Sequence, residues 1–188
     1  MSASAASGYL APLPSNKPKL IAFDLDGTIW SPDMYMLWGG GSPFTPQSSV
    51  LLKDCSNKDV KLLGISGEIL DELKGGVGGD SIVWEETKTA WVSCTDEPEW
   101  AQECMRLFKT PSGSDLKSKI DLEMIHKSNK QTHFNELKEV TGIGFEEMLF
   151  FDNERYNCDS VSKLGVKCVH CPEGMTLDIW NSGLRLFD

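Results

Sequence analysis

The chain has 188 residues, with 18 Lys and Arg against 28 Asp and Glu and a formal charge of −10. That length suits one domain with a proper core, and the acidic balance disfavours nucleic-acid backbones and anionic membrane surfaces as general partners. A phosphate site here needs its own local cations.

Residues 1–17 hold Ala, Ser, Gly and Pro, with no acidic group and no continuous apolar core. They lack the basic start and apolar middle of a signal peptide, and no later run approaches a membrane span. A disordered arm preceding one domain over residues 18–188 is the expectation. Six cysteines without a secretory signal, Cys55, Cys94, Cys104, Cys158, Cys168 and Cys171, imply reduced thiols in a cytoplasmic compartment. The lone Cys168-Val169-His170-Cys171 pair has no second pair to complete a zinc site, and reads as structural.

The apolar run Leu20-Ile21-Ala22-Phe23, followed by Asp24-Leu25-Asp26-Gly27-Thr28, reads as a buried parallel strand whose carboxyl end delivers two acids. Ligands of open α/β sheets bind at that end. Two carboxylates one residue apart repel, so either a cation lies between them or one stays protonated, as a general acid requires. An EF-hand loop starting at Asp24 would need Gly and Glu where Ile29 and Tyr35 stand, which excludes it.

Residues 31–57 read as a long irregular passage with Pro32, Gly39-Gly40-Gly41, Pro43 and Pro46, whose aromatics Tyr35, Trp38 and Phe44 line a substrate entrance or pack on the body. An amphipathic helix follows over 65–74, then a turn-rich connection over 75–80 and a strand over 89–92. Thr95, with acids and Pro98 behind it, opens a helix to about residue 108. Beyond it come a strand over 120–125, a helix over 132–140 closed by Gly142, a strand over 148–151, a helix over 155–164, a strand over 166–169 and a last helix over 177–184. The alternation predicts a three-layer, Rossmann-like α/β fold: about five parallel strands with helices on both faces. Polar candidates stand where strands end: Asp24 and Asp26, Ser93, Lys130, and Asp152 with Asn153.

The run Phe23-Asp24-Leu25-Asp26-Gly27-Thr28 resembles the first signature of the haloacid dehalogenase (HAD) superfamily of phosphohydrolases. His133-Phe134, Thr141-Gly142, Met148-Leu149-Phe150-Phe151-Asp152-Asn153-Glu154 and Leu164-Gly165-Val166-Lys167-Cys168 resemble its magnesium-dependent phosphatase branch. The resemblance implies a phosphomonoester hydrolase with a small flap after the first strand. Asp24 is then the nucleophile that becomes phosphorylated, and Asp26 the general acid and base. Mg²⁺ would be held by Asp24, the Asp26 carbonyl and Asn153 or Asp152. Lys130, with Lys127 as a competitor, would neutralise phosphoryl charge, and Ser93 would bind a phosphoryl oxygen.

In that family Arg typically follows the serine and a second acid stands at position 153, so Cys94 and Asn153 are departures. The implied substrates are phosphotyrosine proteins or small phosphosugars. Alternatives are a phosphotransferase of the same fold and a weakly catalytic or non-catalytic phospho-ligand binding protein. Cys94, near Lys130, the magnesium ligands and a helix amino end, is expected either to be a stabilised, oxidant-sensitive thiolate or an inert, half-buried thiol.

Overall fold

The computed structural model describes residues 10–75 and 81–188. Its main sheet has five parallel strands, β1 (Leu20–Phe23), β6 (Lys88–Ser93), β7 (Leu122–Ile125), β8 (Met148–Asp152) and β9 (Lys167–His170), in the order β7-β6-β1-β8-β9. The first strand is central, pairing Leu20 with Lys88 on one side and with Met148 on the other. The strand order reverses direction between β1 and β8. That switch point opens a crevice at the carboxyl ends of the two strands.

Helices cover both faces because successive strand residues point to opposite sides. Ile21, Phe23, Trp91, Leu149 and Phe151 pack with residues of α1 (Ser66–Leu73), α2 (Pro98–Leu107) and α5 (Leu177–Arg185). Leu20, Ala22, Ala90, Val92, Met148 and Phe150 pack with α3 (Lys130–Thr141) and α4 (Arg155–Ser162). A strand buried on both faces must be apolar along its length, and β1 is, as is β8 up to its last residue, the buried Asp152.

The passage over residues 31–57 is irregular only in part, chiefly over 32–44. It belongs to a second, antiparallel sheet of β2 (Trp30–Ser31), β3 (Thr45–Ser48), β4 (Leu51–Lys53) and β5 (Asp59–Leu62), in the order β2-β5-β4-β3. Its strands are too short for a period-2 pattern to show, and β3 is exposed throughout. The paired residues Leu52 and Val60 are both buried, which fixes the register. Two of the three consecutive glycines have a steric origin: a Cβ on Gly41, at φ +90°, would lie 2.2 Å from the Trp100 ring, and one on Gly40 would lie 1.9 Å from the Asp54 carboxylate. Phe44 is buried against Trp100, Tyr35 lines the cleft described below, and Trp38 is 79% exposed.

Helix α2 starts at Pro98, because Thr95 Oγ1 accepts from Glu97 N (3.1 Å) in a turn ahead of the helix rather than capping it. Helix α3 starts two residues earlier than its apolar period suggests, capped by Asn129, and Gly142 closes it at φ 72°. The strand expected over 120–125 begins at Leu122. Of the expected connection over 75–80, residues 76–80 lie outside the described residues, as do residues 1–9 of the arm. Residues 10–17 differ from a disordered arm: Leu10 N donates to Glu72 Oε2 (2.6 Å), Ala11 is buried, and Asn16 N donates to Phe187 O (3.1 Å). Among the described residues no helix is long and apolar enough to cross a membrane.

Helix α5 approaches β8 through Gly183, where a Cβ would lie 2.5 Å from the Phe151 ring. That ring is held between Phe23 and Trp180, so it cannot yield. Gly183→Ala is expected to lower stability by about 1–3 kcal/mol despite alanine's better helix propensity, measured as a lower urea midpoint at unchanged slope.

Candidate active site

A cleft of about 210 Å³ opens at the carboxyl ends of β1, β6 and β8. Asp24, Asp26, Ser93, Cys94, Lys130 and Asn153 all line it, together with Asp33, Tyr35 and Asn157. Six of the seven residues singled out from the sequence therefore meet at one place. The seventh, Asp152, is fully buried behind them.

Lys130 is the first residue of α3, and its ammonium is buried. It donates to Asp24 Oδ1 and to Val92 O (2.6 Å), and lies 3.5 Å from Asp152 Oδ2. Burial alone would lower its pKa, but the two carboxylates overcome that and hold it above the usual lysine value. Lys127, the competitor, is exposed and pairs instead with Asp96 at 2.9 Å. Asp152 also accepts from Glu154 N (2.7 Å) and from Asn157 Nδ2 (3.2 and 3.0 Å). Burial, with Asp24 nearby, pushes its pKa up.

Asp26 is turned over the cleft by the loop behind β1 and accepts from Trp30 Nε1 at 2.7 Å. Burial, reinforced by the charge of Asp24, raises its pKa to about 7. The acid pair thus divides its labour as its spacing requires: Asp24 faces an ammonium and Asp26 retains a proton near neutrality. Asn153 lies across the same loop. Its main-chain N–H donates to Thr28 Oγ1 (2.9 Å), and the Thr28 hydroxyl points at Asn153 Oδ1 (3.4 Å). Gly27, at φ +74°, is obligatory, because a Cβ there would sit 2.2 Å from the Asn153 amide.

The Asp24 carboxylate, the main-chain carbonyl of Asp26 and the amide oxygen of Asn153 could offer an all-oxygen donor set of the kind that suits a hard divalent ion. Asp152, saturated and screened by Lys130, is less suited to direct ligation than Asn153. Among the described residues no cluster of three His, Cys, Asp or Glu side chains has metal-holding geometry. The Gly27 loop, which a Cβ would fill, leaves Asn153 its place in that set.

Ser93 Oγ accepts from Thr95 N (3.2 Å), keeping its own proton free for the cleft. Burial raises the pKa of Cys94, opposed by Lys130, which corrects the expectation of a stabilised thiolate. The helix behind it starts at Pro98 rather than Thr95, so its amino end is also farther along the chain than expected. Cys168 and Cys171 make separate contacts, to Val166 O and Thr28 Oγ1, and are free thiols. Asn157, which orients Asp152, and Trp30, which binds Asp26, were missed in the sequence. Neither has a local signal, since each acts through a contact that only the fold creates.

The profile of the acid phosphatase family matches residues 16–188. The human protein named magnesium-dependent phosphatase 1 is 37% identical over 171 residues, covering 90% of this chain and 87% of its own. A HAD-like hydrolase superfamily protein of Schizosaccharomyces pombe is 30% identical over 155 residues, covering 79% and 83%. The N-terminal part of protein BF1531 from Bacteroides fragilis, containing a phosphatase domain complexed with Mg, shares the fold at a TM-score of 0.60 and 20% identity, over 93% of this chain and 42% of that one.

The raised pKa of Asp26 has a sign that stability measurements can read. A carboxyl held at about 7 in the folded chain, against 3.8 ordinarily, favours folding fully below about pH 4 and loses that contribution as pH rises through 7. In chelator, wild type is therefore expected to fall below Asp26→Asn by roughly 1–3 kcal/mol between pH 4 and pH 8. Urea melts across that range that stay parallel would remove the burial penalty assigned to Asp26.

Proposed function

The chain belongs to the acid phosphatase family, and from that premise we propose a magnesium-dependent phosphoric monoester hydrolase that works through a phosphorylated Asp24. The observation that carries the reading is the pairing of Asp24 with Lys130 beside an Asp26 whose pKa stands near 7. An anionic nucleophile and a protonated acid in one cleft are what displacement at phosphorus requires.

Asp24 attacks phosphorus, and the bond to the leaving oxygen breaks as Asp26 delivers its proton to that oxygen. The resulting Asp26 carboxylate then takes a proton from water, which attacks phosphorus and frees Asp24 and inorganic phosphate. Lys130 holds Asp24 in line and offsets charge on the phosphoryl oxygens, and the Ser93 hydroxyl donates to one of them. Asp24, the Asp26 carbonyl and Asn153 would hold magnesium, with Thr28 fixing Asn153 and Asn157 fixing Asp152 behind the lysine. The ion, when bound, shields the carboxylate and the phosphate from each other.

The leaving group faces Tyr35, Asp33 and the outer edge of the cleft. A phosphotyrosine protein or a small phosphosugar is the substrate class that we infer from the resemblance of the sequence motifs, and the small, open cleft admits either. Six free thiols among the described residues support placement in a reducing, cytoplasmic compartment.

Hydrolysis of p-nitrophenyl phosphate should require Mg²⁺ and stop in EDTA, with Ca²⁺ a poor substitute because its looser shell misplaces the nucleophile. Asp24→Asn should lose at least about 10³-fold in kcat while still folding, at a melting temperature lowered because the buried Lys130 loses a counter-charge, and the wild type should yield an acid-stable, hydroxylamine-labile phosphoryl adduct after rapid quench. Ordinary turnover by folded Asp24→Asn would end the phospho-aspartate mechanism.

A further inference from the structure

The proposed reaction makes no use of a thiol and an imidazole that meet on the wall of the cleft. Cys94 Sγ lies 4.0 Å from His133 Nδ1. Cys94 lines the cleft, and His133 is fully buried behind it. The other ring nitrogen, Nε2, lies 3.1 Å from the main-chain oxygen of His126. A carbonyl can only accept, so Nε2 carries the ring proton and Nδ1 presents its lone pair to Cys94. Burial, followed by His126 and Lys130, lowers the His133 pKa to about 4, so the ring is neutral at any working pH.

A neutral imidazole with one nitrogen aimed at a thiol and the other donating to a main-chain carbonyl is the arrangement of a metal-bound histidine. Distances agree. Zinc-class bonds of about 2.3 Å to sulfur and about 2.0–2.1 Å to nitrogen together exceed the 4.0 Å gap, so one ion reaches both atoms without moving either, at a sulfur–metal–nitrogen angle of roughly 130°. His126, the neighbouring imidazole, is engaged by Glu136 at 2.9 Å. The Lys130 ammonium, the largest charge acting on the thiol, opposes a cation here, and the carboxylates of Asp24 and Asp152 favour one.

We propose that Cys94 Sγ and His133 Nδ1 form a second metal seat, for a borderline divalent ion of the zinc and cobalt class, separate from the oxygen set that suits magnesium. On binding, the thiol proton passes to solvent and the sulfur electron pair forms the bond to the ion, with no change of oxidation state. His133 gives its lone pair and releases nothing. The remaining coordination positions would be filled by water reaching the ion from the cleft that Cys94 lines. The wall next to Ser93 gains one net positive charge, which alters what anion the cleft accepts.

The test uses the full chain in saturating magnesium, titrated with Co²⁺, and does not depend on turnover. Wild type should develop a cobalt–thiolate charge-transfer band in the near ultraviolet and release one proton per ion, and Zn²⁺, spectrally silent, should displace it. Cys94→Ser should lose the band and weaken Zn²⁺ binding by about tenfold or more, and Cys94→Ala should do so without a hydroxyl as a substitute ligand. Cys55→Ser, at an exposed thiol, should keep the band. In ¹⁵N-histidine spectra Zn²⁺ should shift His133 Nδ1. A wild type without the band, a Cys94→Ser protein that retains it, or an unmoved His133 Nδ1 would each overturn the seat while leaving the phosphatase reading untouched.

Discussion

Lys130 stands where two general rules disfavour it, at the amino end of a helix, whose dipole repels cations, and in an interior that penalises any charge. It remains charged because Asp24 and Asp152 converge on it from the ends of β1 and β8, while Val92 O on β6 takes another of its protons. One ammonium thereby ties together the three central strands of the sheet at the face where they carry chemistry. Removing one member of such a buried group leaves uncompensated charge, which typically costs about 3–5 kcal/mol. The arrangement is thus poorly replaceable, and it holds Asp24 in one orientation.

The rest of the site is built outward from that group. Asn157 and the Glu154 amide fix Asp152, Asp152 helps hold Lys130, and Lys130 orients Asp24. On the other side Trp30 fixes Asp26 and Thr28 fixes Asn153. Trp30 is also the first residue of β2, so the small antiparallel sheet begins at a side chain that touches the acid. The small sheet and the acid therefore share one anchor.

The parallel sheet was legible because its central strands are buried on both faces and run apolar for four residues, as in residues 20–23 and 148–151. The acids at the end of β1 were legible for the same reason: nothing else explains Asp24 and Asp26 directly after Phe23. The flap strands were not, since β3 and β4 bury one residue between them, Leu52, and no period emerges from so few positions. The start of α3 was missed because its apolar face begins at His133, while the residue that opens the helix is a buried lysine. Asn157 and Trp30 act only through contacts made by the fold, and the state of Cys94 depended on burial that spacing does not disclose. Local rules fail most clearly at Lys130, which is where a functional site is expected to break them.

The pairing of β1 carries a further implication for how the molecule assembles. Leu20 lies beside Lys88 and Met148, so the strand bearing the two acids finds neither neighbour nearby in the chain. Its second partner arrives only after most of the chain has left the ribosome. Loop closure over such separations is slow, and until it happens an apolar segment, Leu20-Ile21-Ala22-Phe23, stays exposed with two open edges. An unpaired apolar edge of that kind favours aggregation for as long as β8 is missing, and the cleft, which needs the end of β8, cannot be complete before then.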